Sequence, residues 1–352
     1  MKLNDSDRGT SGALPMTSPL VSICTPTYNR PEYLRRVVQS CLAQTYPNFE
    51  LIITDNSTNS ESKEAMARIQ DPRVRYYSNN GNIGSLASCN RGLGMAQGKY
   101  ITLLMDDDLI KPKFMESMVA AFETNPTAGI VMAPMDLIDE DDRRIFPKFY
   151  IFRTMRYRYR YQVGDGLIER KRLLRDFLTR DYPCTVPSGI MYRGDALRPI
   201  LPVVKEADFA GDLDLCMTIA AKWDFYYLDE VLSSWRYTPA NHTATTHKAG
   251  LNVSAFYYIT RKCLGQPEVR EMFRDEWSSF ERNSFYFCTC RAALLNGMAG
   301  LRGASPTLVW QTFKSIWRDD PHHLNLLRVP FFAAREMWTS FFPPQLPPAR
   351  GG

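Results

Sequence analysis

"YITLLMDDDLIKP", residues 100–112, carries an almost wholly apolar segment straight into Asp106, Asp107 and Asp108. Three adjacent carboxylates repel one another. Where a buried segment emerges they cost stability or hold a proton unless positive charge lies beside them. A near-continuous apolar run of this length reads as a strand covered on both faces, as in a parallel sheet. In such sheets ligands gather beyond the carboxyl ends of the strands, where the three aspartates stand.

Outward from this stretch, short β-branched runs alternate with segments of helical period from Val21 to about Met135, the pattern of repeated βα units. The expected strands are "VSICT" (21–25), "ELIITD" (50–55), "VRYYS" (74–78), "YITLLM" (100–105) and "GIVMAP" (129–134). The first helix should open at Pro31 and bury Leu34, Val37, Val38, Cys41 and Leu42, which recur every three or four residues. Two further polar clusters follow strands, "TPTYNR" (25–30) and "DNSTNSES" (55–62), so three strand ends should share one polar rim. Apolar runs return at "SGIMYR" (188–193) and "DFYYLDEVL" (224–232), with a helix beginning near Asp212 between them.

The chain has 352 residues with 44% hydrophobic content, enough for a large core with an appendage. Its eight cysteines sit mostly in apolar runs without C-x-x-C spacing, which favours buried thiols over zinc or a disulfide framework. No stretch of 18 or more apolar residues occurs and "MKLNDSDRGTSGALPMTSP" is polar, so a cytoplasmic location is expected. The net +5 hides an asymmetry. Residues 143–175 hold eleven Lys or Arg against Asp165 and Glu169, a local +9, and the rest sums to −4. Interleaved with Phe149, Phe152, Tyr159 and Tyr161, that charge suits a phosphate clamp, an anionic membrane face or a solvated insertion paired with acids such as 139–142. A nucleic-acid partner is not expected, because it would leave the three aspartates without a role.

The ordered segments "SICTPTYNRPEYLRRVVQSCLAQTYPNFELIITDNST", "NNGNIGSLASCNRGLGMAQGKYITLLMDDD", "GDLDL" and "YYLDEVLSSWRY" resemble the family 2 glycosyltransferases over roughly residues 19–238. The resemblance implies a GT-A fold, an α/β architecture with a Rossmann-like, mainly parallel sheet flanked by helices. It also implies direct, inverting displacement on a nucleotide-diphosphate sugar, UDP-linked in preference to dTDP-linked, with a divalent cation, Mn²⁺ or Mg²⁺. Hard oxygen donors suit those ions. By the family's motifs, Asp107 and Asp108 would hold the metal, Asp107 also the diphosphate, and Asp106 the donor's ribose or sugar hydroxyls. Thr25, Pro26, Tyr28 and Asn29 would lie beside the nucleotide, with the following helix N-terminus near the phosphates. Asp55 would accept a hydrogen bond from the pyrimidine. Gly84 in "NNGNIG" stands where some relatives carry a basic contact to the base.

The catalytic base implied is Asp212 of "GDLDL", on a helix first turn whose dipole favours its ionised form. Gly211 replaces the glutamate of many relatives, which leaves Asp214 and Asp208 as alternatives. His242, in "RYTPANHTATTH", would help hold the metal.

The resulting division is a flexible segment 1–18, a catalytic domain 19–248 with a basic aromatic insertion at 136–186, a helical extension 249–345 and a flexible tail 346–352. The extension's "FFAAREMWTSFF" (331–342) forms an amphipathic helix suited to packing on its own domain or a second copy, or to peripheral attachment beside a lipid-linked acceptor at the cytoplasmic membrane face. A glycan and a small molecule are the other acceptors considered. A protein that binds nucleotide sugar or anionic glycan without transfer is the alternative, favoured if Asp212 points away from the donor. A nucleotidyltransferase would need a Gly-rich, lysine-bearing phosphate loop, which "TPTYNR" lacks.

Overall fold

The computed structural model describes residues 18–145, 164–179, 187–208, 210–237, 252–285 and 287. Strands β1 (Val21–Thr27), β2 (Phe49–Asp55), β3 (Val74–Ser78) and β4 (Tyr100–Leu103) alternate with helices α1 (Pro31–Leu42), α2 (Glu61–Ala67) and α3 (Ser85–Met95). They pair in parallel in the order β3-β2-β1-β4. Sequence order runs outward from β1 to β3 and then returns to β4 on the other side of β1. This reversal is where an open α/β sheet leaves a ligand crevice.

The short β5 (Leu109–Ile110) and helix α4 (Phe114–Thr124) follow. The sheet continues through β10 (Ile190–Arg193), β6 (Ala128–Met132), β11 (Asp224–Tyr227) and β9 (Gly166–Ile168), eight strands in all, of which β10 and β9 run antiparallel. A second, four-stranded sheet has the order β5-β12-β7-β8, where β7 is Met135–Ile138, β8 Arg144–Ile145 and β12 Ser233–Arg236. "DFYYLDEVL" is thus strand only over its first four residues, because the chain leaves the large sheet at Leu228 to join the small one.

The central strands of the large sheet divide their apolar residues between two cores. Val21, Ile23, Leu51, Ile53 and Tyr100 pack with Leu34, Val37, Val38 and Cys41 of α1 and with Phe114, Met118 and Phe122 of α4. Tyr100 stacks on Phe122 with ring centroids 4.4 Å apart. Cys24, Ile52, Ile101, Leu103, Ile130 and Phe225 face the opposite layer of α3, α5 (Arg170–Thr179), α7 (Gly211–Ala220) and α8 (Asn252–Leu264), while the one-turn α6 (Gly194–Leu197) closes the end of β10. That layer continues into α9 (Pro267–Met272) and on to Phe280 and Phe285, so the helices after residue 252 share the core of the large sheet.

Among the described cysteines Cys24, Cys41, Cys216 and Cys263 are buried thiols, and burial pushes the Cys41 and Cys263 thiols up to about 12. No helix among the described residues is long and apolar enough to cross a membrane. Residues 146–163 of the basic stretch and the amphipathic 331–342 segment lie outside the described residues.

Candidate functional site

Parallel register sets Thr27 of β1 beside Asp55 of β2, and Asp55 beside Ser78 of β3. Cys24 pairs with Leu103, which brings the residues just past β4 level with the end of β1. The Thr27 hydroxyl accordingly donates to Asp106 Oδ2 at 2.8 Å, across the reversal between β1 and β4.

The positive charge called for by the aspartates comes first from the chain itself. Arg30 Nη1 lies 3.1 Å from Asp106 Oδ1 and 2.9 Å from Asp107 Oδ2. Asp106 is buried, and burial together with the Asp107 charge pushes its carboxyl up to about 6 against the pull of Arg30 and Thr27. Asp108 is buried deeper and turned inward. The Ser188 hydroxyl donates to its Oδ2 at 2.5 Å and the Arg236 backbone N–H to its Oδ1 at 3.0 Å. Burial and the Asp107 charge raise its pKa well above the ordinary carboxylate range. Asp108 does not cap the next helix, because α4 begins at Phe114 behind Lys113, with no side-chain cap.

Arg236, 1% exposed, braces the aspartate loop from behind. Its Nε donates to the Asp107 carbonyl at 2.8 Å, its Nη1 to the Asp139 carbonyl and its Nη2 to the Asp142 carboxylate, with the guanidinium 4.8 Å above the Tyr33 ring. Asp142 also pairs with Arg36 at 3.1 Å, while Arg143 of the basic stretch pairs with Asp141 at 3.0 Å.

Of the "TPTYNR" residues, Thr25 is fully buried inside β1 with an unpaired hydroxyl, and Pro26 is likewise enclosed in the strand. Pairing with β2 extends β1 two residues past the expected end, so Thr27 rather than Thr25 reaches the rim. Tyr28 is 44% exposed. Asn29 adopts φ +53° and clamps two loops together, since its Nδ2 donates to Thr58 Oγ1 at 3.2 Å and its Oδ1 accepts from the Thr58 N–H at 3.0 Å.

Asp55 is buried at the end of β2, where it accepts from the Ser57 N–H at 2.7 Å and from the Tyr76 hydroxyl at 2.5 Å. Burial and then this carboxylate raise the Tyr76 phenol, so Tyr76 stays a donor. Asn56 Nδ2 donates to the Gly84 carbonyl at 3.1 Å. Gly84 itself has φ +91°, and a Cβ there would meet nothing within 4 Å. Its glycine is therefore required by backbone conformation, not by crowding.

Asp212 occupies the first turn of α7 and its Oδ1 accepts from the Leu213 N–H at 2.8 Å. A Cβ on Gly211 would lie 3.2 Å from Val203 and 4.0 Å from Leu86 in the first turn of α3. The N-termini of α3 and α7 therefore sit together, and the tight approach to Val203 accounts for glycine at 211. Asp214 is 2% exposed and gripped by Lys262 at 2.7 Å, which removes it from the alternatives for the base. Burial raises the pKa of the Cys89 thiol, and the charges of Asp208 and Asp106 add to it.

Among the described residues no three His, Cys, Asp or Glu side chains close on a common point, and His242 lies outside those residues. The acids at the rim nevertheless fit a hard divalent ion. Such an ion uses one or two carboxylates and completes its shell with substrate phosphates and water. Sequence reasoning missed Thr27, Arg30, Asn56, Tyr76, Ser188 and Arg236. Arg30 alone carried a signal, as the one cation in the three polar clusters.

The family model for glycosyl transferase family 2 matches residues 22–201, more than half of the chain. The uncharacterized glycosyltransferase MJ1057 of Methanocaldococcus jannaschii is 31% identical over 170 residues, covering 46% of this chain and 59% of that protein. Glycosyltransferase GlyG of Streptococcus pneumoniae is 32% identical over 136 residues, covering 38% and 44%. The chain thus spans less than two thirds of each of these relatives.

Among solved structures, Staphylococcus aureus TarS 1–349 in complex with UDP-GlcNAc superimposes with a TM-score of 0.56 at 14% identity, over 85% of this chain and 92% of that one. The mannosyltransferase PcManGT of Pyrobaculum calidifontis, in complex with GDP-Man and Mn²⁺, gives 0.55 at 14%, over 94% and 89%. These two share the fold, an α/β sheet of GT-A type. With the family model spanning the very strands that carry Asp55, Asp106, Asp107 and Asp108, the chain belongs to glycosyl transferase family 2.

Proposed function

We propose that the protein is an inverting glycosyltransferase that moves a sugar from a nucleotide-diphosphate donor, UDP-linked in preference to dTDP-linked, to an acceptor hydroxyl in glycan, glycolipid or glycoconjugate synthesis. The observation that carries this reading is the meeting of Asp106 and Asp107 with Arg30 and Thr27 at the sheet's reversal point, beside the loop of Asp55. Asp55, with Tyr76 and Ser57 fixing its two oxygens, is proposed to accept from the base, and the turn of Tyr28 and Asn29 to line the nucleotide. Gly84 keeps the base side of the crevice open.

Asp107, the most exposed of the three aspartates, is the proposed metal ligand together with Asp108, whose two hydrogen bonds leave a lone pair on each oxygen, and Asp106 faces the donor. His242 is proposed as a further ligand. A bound divalent ion would offset the charge of the departing diphosphate. Asp212, in the first turn of α7, is proposed to take the acceptor's proton as its oxygen attacks the anomeric carbon from the face opposite the nucleotide. The arginine-rich insertion suits an anionic or lipid-linked acceptor, and residues 331–342 suit packing on this domain or a second copy, or attachment at the cytoplasmic membrane face.

The test is calorimetric titration of UDP, TDP and GDP into the protein with Mn²⁺ and then with EDTA, on wild type and on Asp107→Ala. Binding of one nucleotide that needs Mn²⁺ and is lost in Asp107→Ala is the expected result. Absence of binding under every condition would sink the transferase reading.

A further inference from the structure

Three carboxylates in a row would repel one another in the donor-free protein, and Arg30 pairs with two of them. That arginine stands immediately before Pro31 at the mouth of α1, on a turn fixed by the clamp of Asn29 on Thr58. One nitrogen, Nη1, serves both Asp106 and Asp107, and among the described residues no hydrogen bond engages its Nε or Nη2. The side chain is 35% exposed, so a solute can reach it. A planar guanidinium with unused N–H groups on a half-open site is suited to take a phosphate oxygen.

We infer that Arg30 is the built-in counter-cation of Asp106 and Asp107, which must leave them for a divalent ion to bind and which then turns its guanidinium to the donor's diphosphate. The inference rests on the proposed donor reading and names the regulation of that site. A divalent ion on Asp107 and the guanidinium paired with that same carboxylate repel one another. Metal alone therefore weakens the Arg30 pairing with nothing to receive the guanidinium. Metal with a nucleoside diphosphate displaces it onto an anion. Binding of the two ligands is consequently coupled, and by linkage each strengthens the other by the same factor. Arg30 acts here as a positioning residue.

The experiment measures Mn²⁺ affinity from the free-ion electron paramagnetic resonance signal, without and with saturating UDP, GDP or TDP, for wild type, Arg30→Met and Arg30→Lys. Without nucleotide, Arg30→Met should bind Mn²⁺ about tenfold tighter than wild type, and the enhancement by nucleotide should fall several-fold, the part that remains being the diphosphate's own contact with the ion. Arg30→Lys keeps a charge on the carboxylates but lacks the guanidinium fork, so its Mn²⁺ affinity without nucleotide should stay low while the enhancement drops.

Equal Mn²⁺ affinity in wild type and Arg30→Met overturns the inference and leaves Arg30 a structural ion pair. Failure of all three proteins to bind Mn²⁺, with or without nucleotide, overturns the donor reading and this inference with it. If Arg30→Met does not fold, Arg30→Lys decides, because an undiminished enhancement in that variant is likewise incompatible with the role.

Discussion

Asp106 is held between opposing effects. Burial and the neighbouring Asp107 favour its protonated form, while Arg30, Thr27 and the Tyr28 backbone favour the carboxylate, and the balance leaves the pKa near 6, above an ordinary value of 3.8. The folded protein therefore binds this proton more tightly than the unfolded chain does. The stability it contributes is fully present below about pH 4 and is lost as pH rises through about 6, an effect of roughly 2–3 kcal/mol at full extent. Urea unfolding without metal or nucleotide should show wild type losing stability relative to Asp106→Asn between pH 4 and pH 7.5, since the amide cannot ionise. A constant difference between the two proteins across that range would contradict this account. Acids such as Glu123, lowered by the Lys99 and Tyr100 hydrogen bonds, respond in the opposite direction, which is why the comparison is made against the variant.

The element that carries the proposed base is the first turn of α7. Gly211 lets the helix approach Val203, and the turn places Asp212 at the positive end of the helix dipole. Asparagine preserves the acceptor for the Leu213 N–H but cannot take a proton. Asp212→Asn should therefore lower kcat by about 10²–10⁴ with donor affinity by calorimetry near wild type. Full transfer by that variant would move the role to Asp208, because Asp214 is already committed to Lys262. The helix was legible in the sequence, from the periodicity of Leu213, Met217 and Ala220, but its neighbours were not. Likewise α1 opens at Pro31 and buries Leu34, Val37, Val38 and Cys41 as their spacing implies, while Leu42, at the helix end, is only half-buried. The end of β1 was read two residues short because its last pairs, Pro26 with Thr54 and Thr27 with Asp55, come from a partner strand.

At the scale of the whole molecule, the helices after residue 252 are bound to the catalytic layer by a shared core and by one buried ion pair. Lys262 of α8 reaches Asp214 of α7, which is 2% exposed. Lys262→Met would leave that carboxylate buried without a partner and should lower the unfolding free energy by about 3 kcal/mol in urea. Adding Asp214→Leu should recover most of the loss, because an apolar pair of similar volume tolerates burial, and a double variant as unstable as the single one would refute the ion-pair account.

The βα alternation, the strand that leads into Asp106, Asp107 and Asp108, and the shared polar rim are all legible in the sequence. Those follow from local periodicity and from which residues tolerate burial. Only the tertiary structure decided that Arg30 sits between Asp106 and Asp107, that Arg236 braces the loop from 128 residues away, and that Thr27 rather than Thr25 reaches the rim. Such partnerships depend on strand register and on chain crossings between distant segments, for which a linear pattern of apolar and polar residues carries no information.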